Sequence, residues 1–209
     1  MIELEVKFAV SKIPDSLIKN VPVAEKEQLD IYYDTFDYQL LKNGNFLRIR
    51  NEEKLDFKLD LGDDSHLFCE ETSFDREKLS RKKKELELIF NRLGLSFNSD
   101  FTDLTGFLEK NGLTVLAPVK KKRKEYKINE INITLDDVED LGIYIEAEKI
   151  FETDTISEKS AETLKIELLD LLYRNQIISL EATEVKVGYV ELYLLKYNKA
   201  AYDMGKFKE

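Results

Sequence analysis

The sequence predicts an α+β protein: an eight-stranded antiparallel β-barrel, or tunnel, with a charged lumen and helices packed outside. The first observation is that apolar and polar residues alternate with period two in eight segments, as in strands with one apolar face. The second is that segments with helical character make up about a third of the chain and need apolar surface to pack on. The apolar strand faces supply that surface, so the charged faces are expected to point inward.

The eight predicted strands share this alternation, and the first shows it most clearly; in residues 66–74 the adjacent acids Glu70 and Glu71 leave the register open. From residue 2 to residue 8, every even position is apolar and every odd position is charged. The predicted strands are residues 2–8, 28–34, 46–50, 55–61, 66–74, 115–127, 131–136 and 143–150. Most connections between them are short, which favours antiparallel pairing.

Helices are predicted between the fifth and sixth strands and after the eighth. The first two cover residues 75–93 and 101–110. A third runs from Thr155 to about residue 173, with Thr155 and Glu158 spaced as a capping box. A last helix begins near Gly188.

Composition indicates one domain over residues 1–209. The chain has 209 residues, of which 43% are hydrophobic, enough for one sizeable core. No apolar run is long enough to span a membrane, and the first residues do not resemble a signal peptide. Cys69 is the single cysteine, so an internal disulfide is excluded and a cytoplasmic location is expected.

Charge and residue usage also exclude some functions. A formal net charge of −10 argues against nucleic acid as a partner, because nucleic-acid binders normally present a basic surface. His66 is the single histidine and lies beside a predicted turn, which argues against a histidine-centred nucleophilic site. Any catalysis is therefore expected to use carboxylates, cations and a metal.

The charged strand faces have two interpretations. Taken singly, each could be the solvated side of an ordinary sheet. Taken together, they form the lumen of a barrel, which must be wet because burying unpaired ions costs several kcal/mol each. The lumen would hold the carboxylates Glu3, Glu5, Asp136, Glu146 and Glu148, and the cations Lys7, Arg48, Arg50, Lys58, Lys121 and Arg123. Carboxylates suit Mg²⁺ or Mn²⁺, and clustered Arg and Lys suit phosphate, so a metal-bound polyphosphate fits both groups.

Residues 120–124 form a basic run with two interpretations of its own. Such a run can be a nuclear localisation or nucleic-acid patch. On a strand, alternation would instead turn Lys121 and Arg123 inward and leave Lys120, Lys122 and Lys124 outside. The strand interpretation is favoured.

Several of these segments resemble, in order, the motifs of the CYTH superfamily, which includes class IV adenylyl cyclase and thiamine triphosphatase. Residues 3–7 match the ExExK signature, and residues 43–50 resemble the segment that ends in LRIR. Further similarities are residues 28–34, 57–59, the K-x-R-x-x-Y element at 121–126, the D-x-V-x-x-L-G block at 136–142 with Glu146 and Glu148, and the closing element at 186–189. The resemblance covers nearly the whole chain.

The resemblance implies an eight-stranded tunnel that acts on triphosphates with Mg²⁺ or Mn²⁺. The implied metal ligands or their supporting residues are Glu3, Glu5, Asp136, Glu146 and Glu148. The implied substrate-binding residues are Lys7, Arg48, Arg50, Lys58, Lys121, Arg123 and Lys186, and the implied catalytic residues are Glu5, Glu148 and Lys7. Two positions depart from the family pattern. Cys69 precedes Glu70 where an Arg is usual, leaving the roles of Glu70 and Glu71 open, and Gly188 replaces a common Ser.

Three functions are compatible with this resemblance. The favoured one is hydrolysis of a small-molecule triphosphate such as tripolyphosphate, a nucleoside triphosphate or thiamine triphosphate. The second is conversion of ATP to cyclic AMP and pyrophosphate by an adenylyl cyclase. The third is a non-catalytic module that binds polyphosphate or nucleotides, which the five acidic positions disfavour. The oligomeric state is open, a homodimer included.

Overall fold

The computed structural model describes residues 2–60, 62, 68–101, 103–128, 131–151, 158–179 and 182–209. Within these ranges the side chains of residues 2, 3, 68, 150, 151 and 158–161 are excluded from the description. In chain order the elements are β1 (Ile2–Val10), α1 (Asp15–Lys19), β2 (Ala24–Thr35), α2 (Gln39–Lys42), β3 (Phe46–Arg50), β4 (Lys54–Asp60), β5 (Phe68–Asp75), a 3-10 helix (Arg76–Arg81), α3 (Lys83–Arg92), α4 (Leu104–Lys110), β6 (Leu113–Ile128), β7 (Ile131–Val138), β8 (Gly142–Phe151), α5 (Glu158–Arg174), β9 (Thr183–Val185), α6 (Tyr189–Tyr197) and α7 (Lys199–Met204).

All eight predicted strands are present as β1 to β8, and the predicted α+β class is confirmed. The predicted helices correspond to the 3-10 helix with α3, and to α4, α5 and α6, while α1, α2, α7 and β9 were missed. Thr155 of the predicted capping box and His66 lie outside the described residues. None of the helices within the described ranges is long and apolar enough to cross a membrane.

The strands form one antiparallel sheet that closes on itself. Its order is β5-β4-β3-β2-β6-β7-β8-β1-β9. The first strand of this order, β5, also pairs with β1, where Glu3 lies opposite Cys69 and Leu4 opposite Phe68. These pairs complete a ring of eight strands, and β9 adds to the other end of β1, opposite residues 7–9.

Two helical layers cover the outward strand faces. Apolar residues of β2, β3, β4 and β5 pack against the 3-10 helix, α3 and α4 in one core. Apolar residues of β1, β7 and β8 pack against α1 and α5 in a second core. Covering both outer faces leaves the alternate, polar side chains of the same strands inside the ring.

The packing of α3 against the outside of the barrel predicts a large loss of stability when a buried aromatic ring of α3 is removed. Phe90 of α3 is fully buried, and its ring centroid lies 5.9 Å from that of Phe57 and 5.6 Å from that of Phe107. Replacing Phe90 with Ala is expected to lower the free energy of unfolding by about 3–5 kcal/mol, measured by chemical denaturation. Phe36, which is 91% exposed, is the control: Phe36→Ala should change stability by less than about 0.5 kcal/mol. Equal losses in the two variants would contradict this packing.

The C-terminal helices depart from the outside packing of the other helices. Tyr32, Ala117, Val119 and Tyr144 share the inward strand faces with charged residues, and they join one apolar cluster with residues of α6 and α7. The inward alternation therefore changes from charged to apolar towards one end of the barrel. Because exposed apolar surface is unfavourable in water, α6 and α7 close that end instead of packing on the outside.

Candidate active site

A cavity of about 690 Å³ lies inside the ring of strands. Eleven cationic and eight acidic residues are among the described residues that line it. The whole chain carries a formal net charge of −10, so positive charge is concentrated in the cavity of an acidic protein. Such a concentration attracts anionic ligands.

Most of the predicted site residues meet at this cavity. Those that line it are Glu5, Lys7, Arg48, Arg50, Lys58, Lys121, Arg123, Glu146, Glu148 and Lys186. Asp136 is fully buried behind the wall, and the side chain of Glu3 lies outside the described residues. Their roles in binding and catalysis stay predictions, but their common location follows from strand register.

The guanidinium groups of Arg48 and Arg50 share two buried carboxylates. Arg50 Nε lies 3.0 Å from Asp30 Oδ1, and Arg48 Nε lies 3.2 Å from Asp56 Oδ2. Arg48 Nη1 also donates to the Tyr32 hydroxyl at 3.1 Å. Burial raises the pKa of Tyr32 to about 12, so this hydroxyl stays neutral. The shared carboxylates keep both arginines in defined positions at the cavity wall.

A second cationic pair, Lys121 and Arg123, surrounds Asp136. Arg123 Nε and Nη2 donate to Asp136 Oδ1 and Oδ2 at 2.7 and 2.5 Å, and Lys121 Nζ lies 3.2 Å from Asp136 Oδ2. Arg123 Nη2 also donates to Glu146 Oε2 at 2.5 Å. Burial and the neighbouring Arg123 lower the pKa of Lys121. Asp136 and Glu146 thus offset the repulsion between the buried Lys121 and the half-buried Arg123.

Lys7 lies between the two carboxylates Glu5 and Glu146. Its Nζ is 3.3 Å from Glu5 Oε1 and 3.3 Å from Glu146 Oε1, and it donates to the Val187 carbonyl oxygen at 3.2 Å. Burial alone would lower the pKa of Lys7, but the two carboxylates outweigh burial and raise it. Burial would likewise raise the pKa of Glu146, but Lys7, Arg123 and Lys121 hold it well below its usual value. All three groups of this triad are therefore ionised at neutral pH.

Strand register separates the adjacent acids Glu70 and Glu71. Glu71 lies opposite Lys58 in the β4–β5 pair, lines the cavity, and has its Oε1 3.4 Å from Lys58 Nζ. Glu70 faces outward, where Arg92 Nη1 of α3 donates to its Oε2 at 2.6 Å. Glu71 is therefore the cavity residue and Glu70 is an outer ion-pair partner.

The basic run divides as the strand interpretation predicts. Lys121 is buried and Arg123 half-buried, and both line the cavity. Lys120 and Lys124 instead approach Glu139 and Glu25, at 3.9 and 3.5 Å.

The remaining predicted residues lie towards the edges of the cavity. Glu148 is half-buried and accepts a hydrogen bond from Asn132 Nδ2 at 3.0 Å. Lys186 is exposed, and its backbone amide donates to Glu209 Oε2 at 3.1 Å.

Sequence reasoning missed several residues of the site. Asp56 lies on the same inward strand face as Lys58, so the alternation that selected Lys58 could also have selected Asp56. Asp30 lies in the segment 28–34 that resembles the family, but its position opposite Arg50 depends on strand register. Tyr189, Lys206 and Lys208 reach the cavity from the C-terminal segment. Tyr189 belongs to the closing element at residues 186–189, but no local sequence signal indicates the positions of Lys206 and Lys208.

The inward carboxylates fit a hard divalent cation in their chemistry. Glu5 and Glu148 are direct partners across β1 and β8, and Lys7 opposes Glu146 on the same strands. Carboxylate oxygens are the ligands that Mg²⁺ and Mn²⁺ prefer. Within the described side chains, no three potential ligands cluster tightly enough to hold an ion, and Lys7 Nζ contacts both Glu5 and Glu146. The donor type therefore fits a metal, and Lys7 is the local counter-ion of the carboxylates.

Comparison with known proteins agrees with this architecture. The family model of the CYTH domain matches residues 1–179. A protein of Methanocaldococcus jannaschii named "Putative adenylate cyclase MJ0240" is 29% identical over 174 residues, which cover 79% of this chain and 89% of that protein. The solved structure of PH1819 from Pyrococcus horikoshii OT3 has a TM-score of 0.63 at 22% identity and covers 93% of this chain and 99% of its own. The structure of HpAC1 from Hippeastrum, described with a dominant triphosphatase activity, has a TM-score of 0.55 at 16% identity and covers 99% of this chain and 97% of its own.

The chain belongs to the CYTH family, since the matched region is most of its length. Enzymes of this family act on triphosphates and in general depend on a divalent metal. The match ends at residue 179, before β9, α6 and α7.

Proposed function

We propose that this protein hydrolyses the triphosphate group of a small molecule inside the cavity, with Mg²⁺ or Mn²⁺, and that residues 1–209 act as one domain. The observation that carries the proposal is the convergence of cations from four strands on one cavity. Arg48 and Lys58 come from β3 and β4, and Lys7 and Arg123 come from β1 and β6. A chain of three phosphates presents charge to several walls at once, so a surrounding set of cations binds it better than one basic patch does.

The residues fall into two roles under this proposal. Lys7, Arg48, Arg50, Lys58, Lys121, Arg123 and Lys186 bind phosphate oxygens, and the arginines stabilise the charge that spreads over the transferred phosphoryl group. Glu5, Glu146 and Glu148, with Glu3, would hold the divalent cation, and Glu148 would orient the attacking water. The bound metal would neutralise phosphate oxygens and lower the pKa of water. Catalysis would then rest mainly on position and electrostatics.

A second candidate is an adenylyl cyclase that converts ATP to cyclic AMP and pyrophosphate. The specific observation that favours it is the name of the Methanocaldococcus jannaschii relative. The description of HpAC1 as having a dominant triphosphatase activity favours hydrolysis. Hydrolysis stays the first choice because a polyphosphate chain alone can contact all the cationic residues of the cavity.

Product analysis distinguishes the two reactions. The protein would be incubated with tripolyphosphate, ATP or thiamine triphosphate, each with Mg²⁺ and with Mn²⁺. Orthophosphate without cyclic AMP is the expected result. Cyclic AMP with pyrophosphate from ATP would favour the cyclase instead. Tight binding of tripolyphosphate without any product would contradict both enzymes and support a binding module.

A further inference from the structure

Asp136 is surrounded by donors on every side. It is fully buried, and it accepts hydrogen bonds from Arg123, Lys121 and the Tyr189 hydroxyl, the last at 3.0 Å. Both carboxylate oxygens are therefore used within the protein. A carboxylate in this position is occupied in holding its neighbours, whereas Glu5 and Glu148 line the cavity directly.

Tyr189 connects this carboxylate to the C-terminal helices. It is the first residue of α6, directly after the N-cap Gly188. Two ammonium groups lie over its ring, with Lys7 Nζ 4.6 Å and Lys121 Nζ 4.7 Å from the ring centroid. Cation–π attraction at these distances stabilises both lysines. Burial and the negative charges of Glu146 and Asp136 raise the pKa of Tyr189, so the hydroxyl remains a donor.

We propose that Asp136 and Tyr189 form a positioning pair: together they hold Lys7, Lys121 and Arg123 in place and tie the start of α6 to the charged wall. Asp136 acts on the two cations of β6, and Tyr189 acts on Lys7 and Lys121 while donating to Asp136. Tyr189 lies after residue 179, where the match to the CYTH family model ends, within the closing element at residues 186–189. The kinetic part of the inference rests on the proposed hydrolysis, and the structural part does not.

A positioning role and a metal-ligand role for Asp136 predict different kinetics. A metal ligand replaced by an amide weakens metal binding, so more metal is needed for half-maximal activity. A positioning residue leaves the metal requirement unchanged and lowers kcat, because the cations lose alignment with the transition state. Removing the negative charge of Asp136 also makes the site more positive, so binding of a polyanion should not weaken on charge grounds.

The kinetic experiment compares Asp136→Asn with Glu148→Gln. For Asp136→Asn we expect kcat to fall about tenfold or more, with the metal concentration for half-maximal activity unchanged. Tripolyphosphate affinity, measured by calorimetry without metal, should remain within about threefold of the parent value because no phosphate-binding cation is removed. Glu148→Gln should raise the metal requirement. A raised requirement in Asp136→Asn would overturn the proposal.

The structural experiment measures amide hydrogen exchange in α6 and needs no activity. Tyr189→Phe removes only the hydroxyl and keeps the ring over Lys7 and Lys121, so this variant is expected to fold even where Asp136→Asn does not. Both variants should speed exchange of the α6 amides about tenfold, the effect of losing one charge-assisted hydrogen bond. The matched control is Tyr193→Phe, the same change on the same helix, where the Tyr193 ring contacts Tyr197. Exchange in this control should stay at the parent rate.

The two experiments fail separately. If no triphosphate is hydrolysed, the proposed function fails, and hydrogen exchange still decides whether Asp136 and Tyr189 secure α6. If Tyr189→Phe and Asp136→Asn leave α6 exchange at the level of Tyr193→Phe, the positioning pair is wrong, whatever reaction the protein catalyses.

Discussion

Replacing Glu5 with Gln is expected to reduce metal-dependent phosphate release by about a hundredfold or more. Glu5 Oε1 lies 3.3 Å from Lys7 Nζ, and Glu5 Oε2 lies 3.8 Å from Lys58 Nζ. Burial and Glu146 would raise the pKa of Glu5, but Lys7 and Lys58 outweigh them and lower it, so the group is a carboxylate at neutral pH. Gln keeps the shape and removes the charge that a divalent cation requires. Initial rates of phosphate release at several Mg²⁺ and Mn²⁺ concentrations measure the effect.

Measuring tripolyphosphate binding in the absence of metal distinguishes a loss of catalysis from a loss of the folded site. Because Glu5→Gln removes one negative charge beside two lysines, tripolyphosphate should bind at least as tightly as to the parent protein in the absence of metal. Glu70→Gln is the matched control, since Glu70 faces outward and pairs with Arg92 on the surface. Such surface pairs contribute about 0–1 kcal/mol, so this variant should keep parent activity. Full activity in Glu5→Gln would remove Glu5 from the mechanism.

Replacing Arg123 with Met is expected to lower kcat/KM by about a hundredfold to a thousandfold. Arg123 is the cation that bridges Asp136 and Glu146 at the cavity wall, at 2.5 Å to each. Met fills a similar volume but supplies no charge to a developing transition state. Loss of the Arg123 guanidinium also leaves two buried carboxylates with fewer cations, so the free energy of unfolding should fall by about 3–5 kcal/mol. Steady-state kinetics and chemical denaturation measure the two effects.

Lys122 is the matched control for Arg123 because it is the adjacent residue of β6 with its side chain exposed outside. Lys122→Met should preserve kcat/KM and change stability by less than about 0.5 kcal/mol. Arg123→Lys should recover only part of the lost activity, because Lys restores the charge but not the two-nitrogen contact of Arg with Asp136. Equal kinetics for Arg123→Met and Lys122→Met would show that the inward position of Arg123 is irrelevant to turnover.

The sequence predicts which site residues lie together when those residues belong to the same strand. Alternation alone indicates that Lys121 and Arg123 share a face, and that Lys122 lies on the other. It also places Arg48 with Arg50, and Glu146 with Glu148. These relations depend only on the two-residue period of a strand. The need to cover the opposite, apolar faces with helices then indicates which side is inside.

Contacts between distant segments were not predictable in this way. The adjacent acids Glu70 and Glu71 left the register of β5 ambiguous, and a shift by one residue would exchange the two. The pairing of Lys58 with Glu71 across β4 and β5 decides the question. The use of Asp30 and Asp56 as counter-ions similarly depends on which strands are neighbours.

By itself the sequence determined the strand periodicity, most of the inward charged residues and the resemblance to the CYTH family. Only the tertiary structure decided how those charges are paired and which end of the barrel is closed. Pairing depends on the register between strands, and closure depends on the packing of α6 against inward apolar residues that lie far away in the chain. Tyr189 illustrates the difference: its contact with Asp136 spans 53 positions. Such a contact arises from the global packing of the barrel, on which local periodicity carries no information.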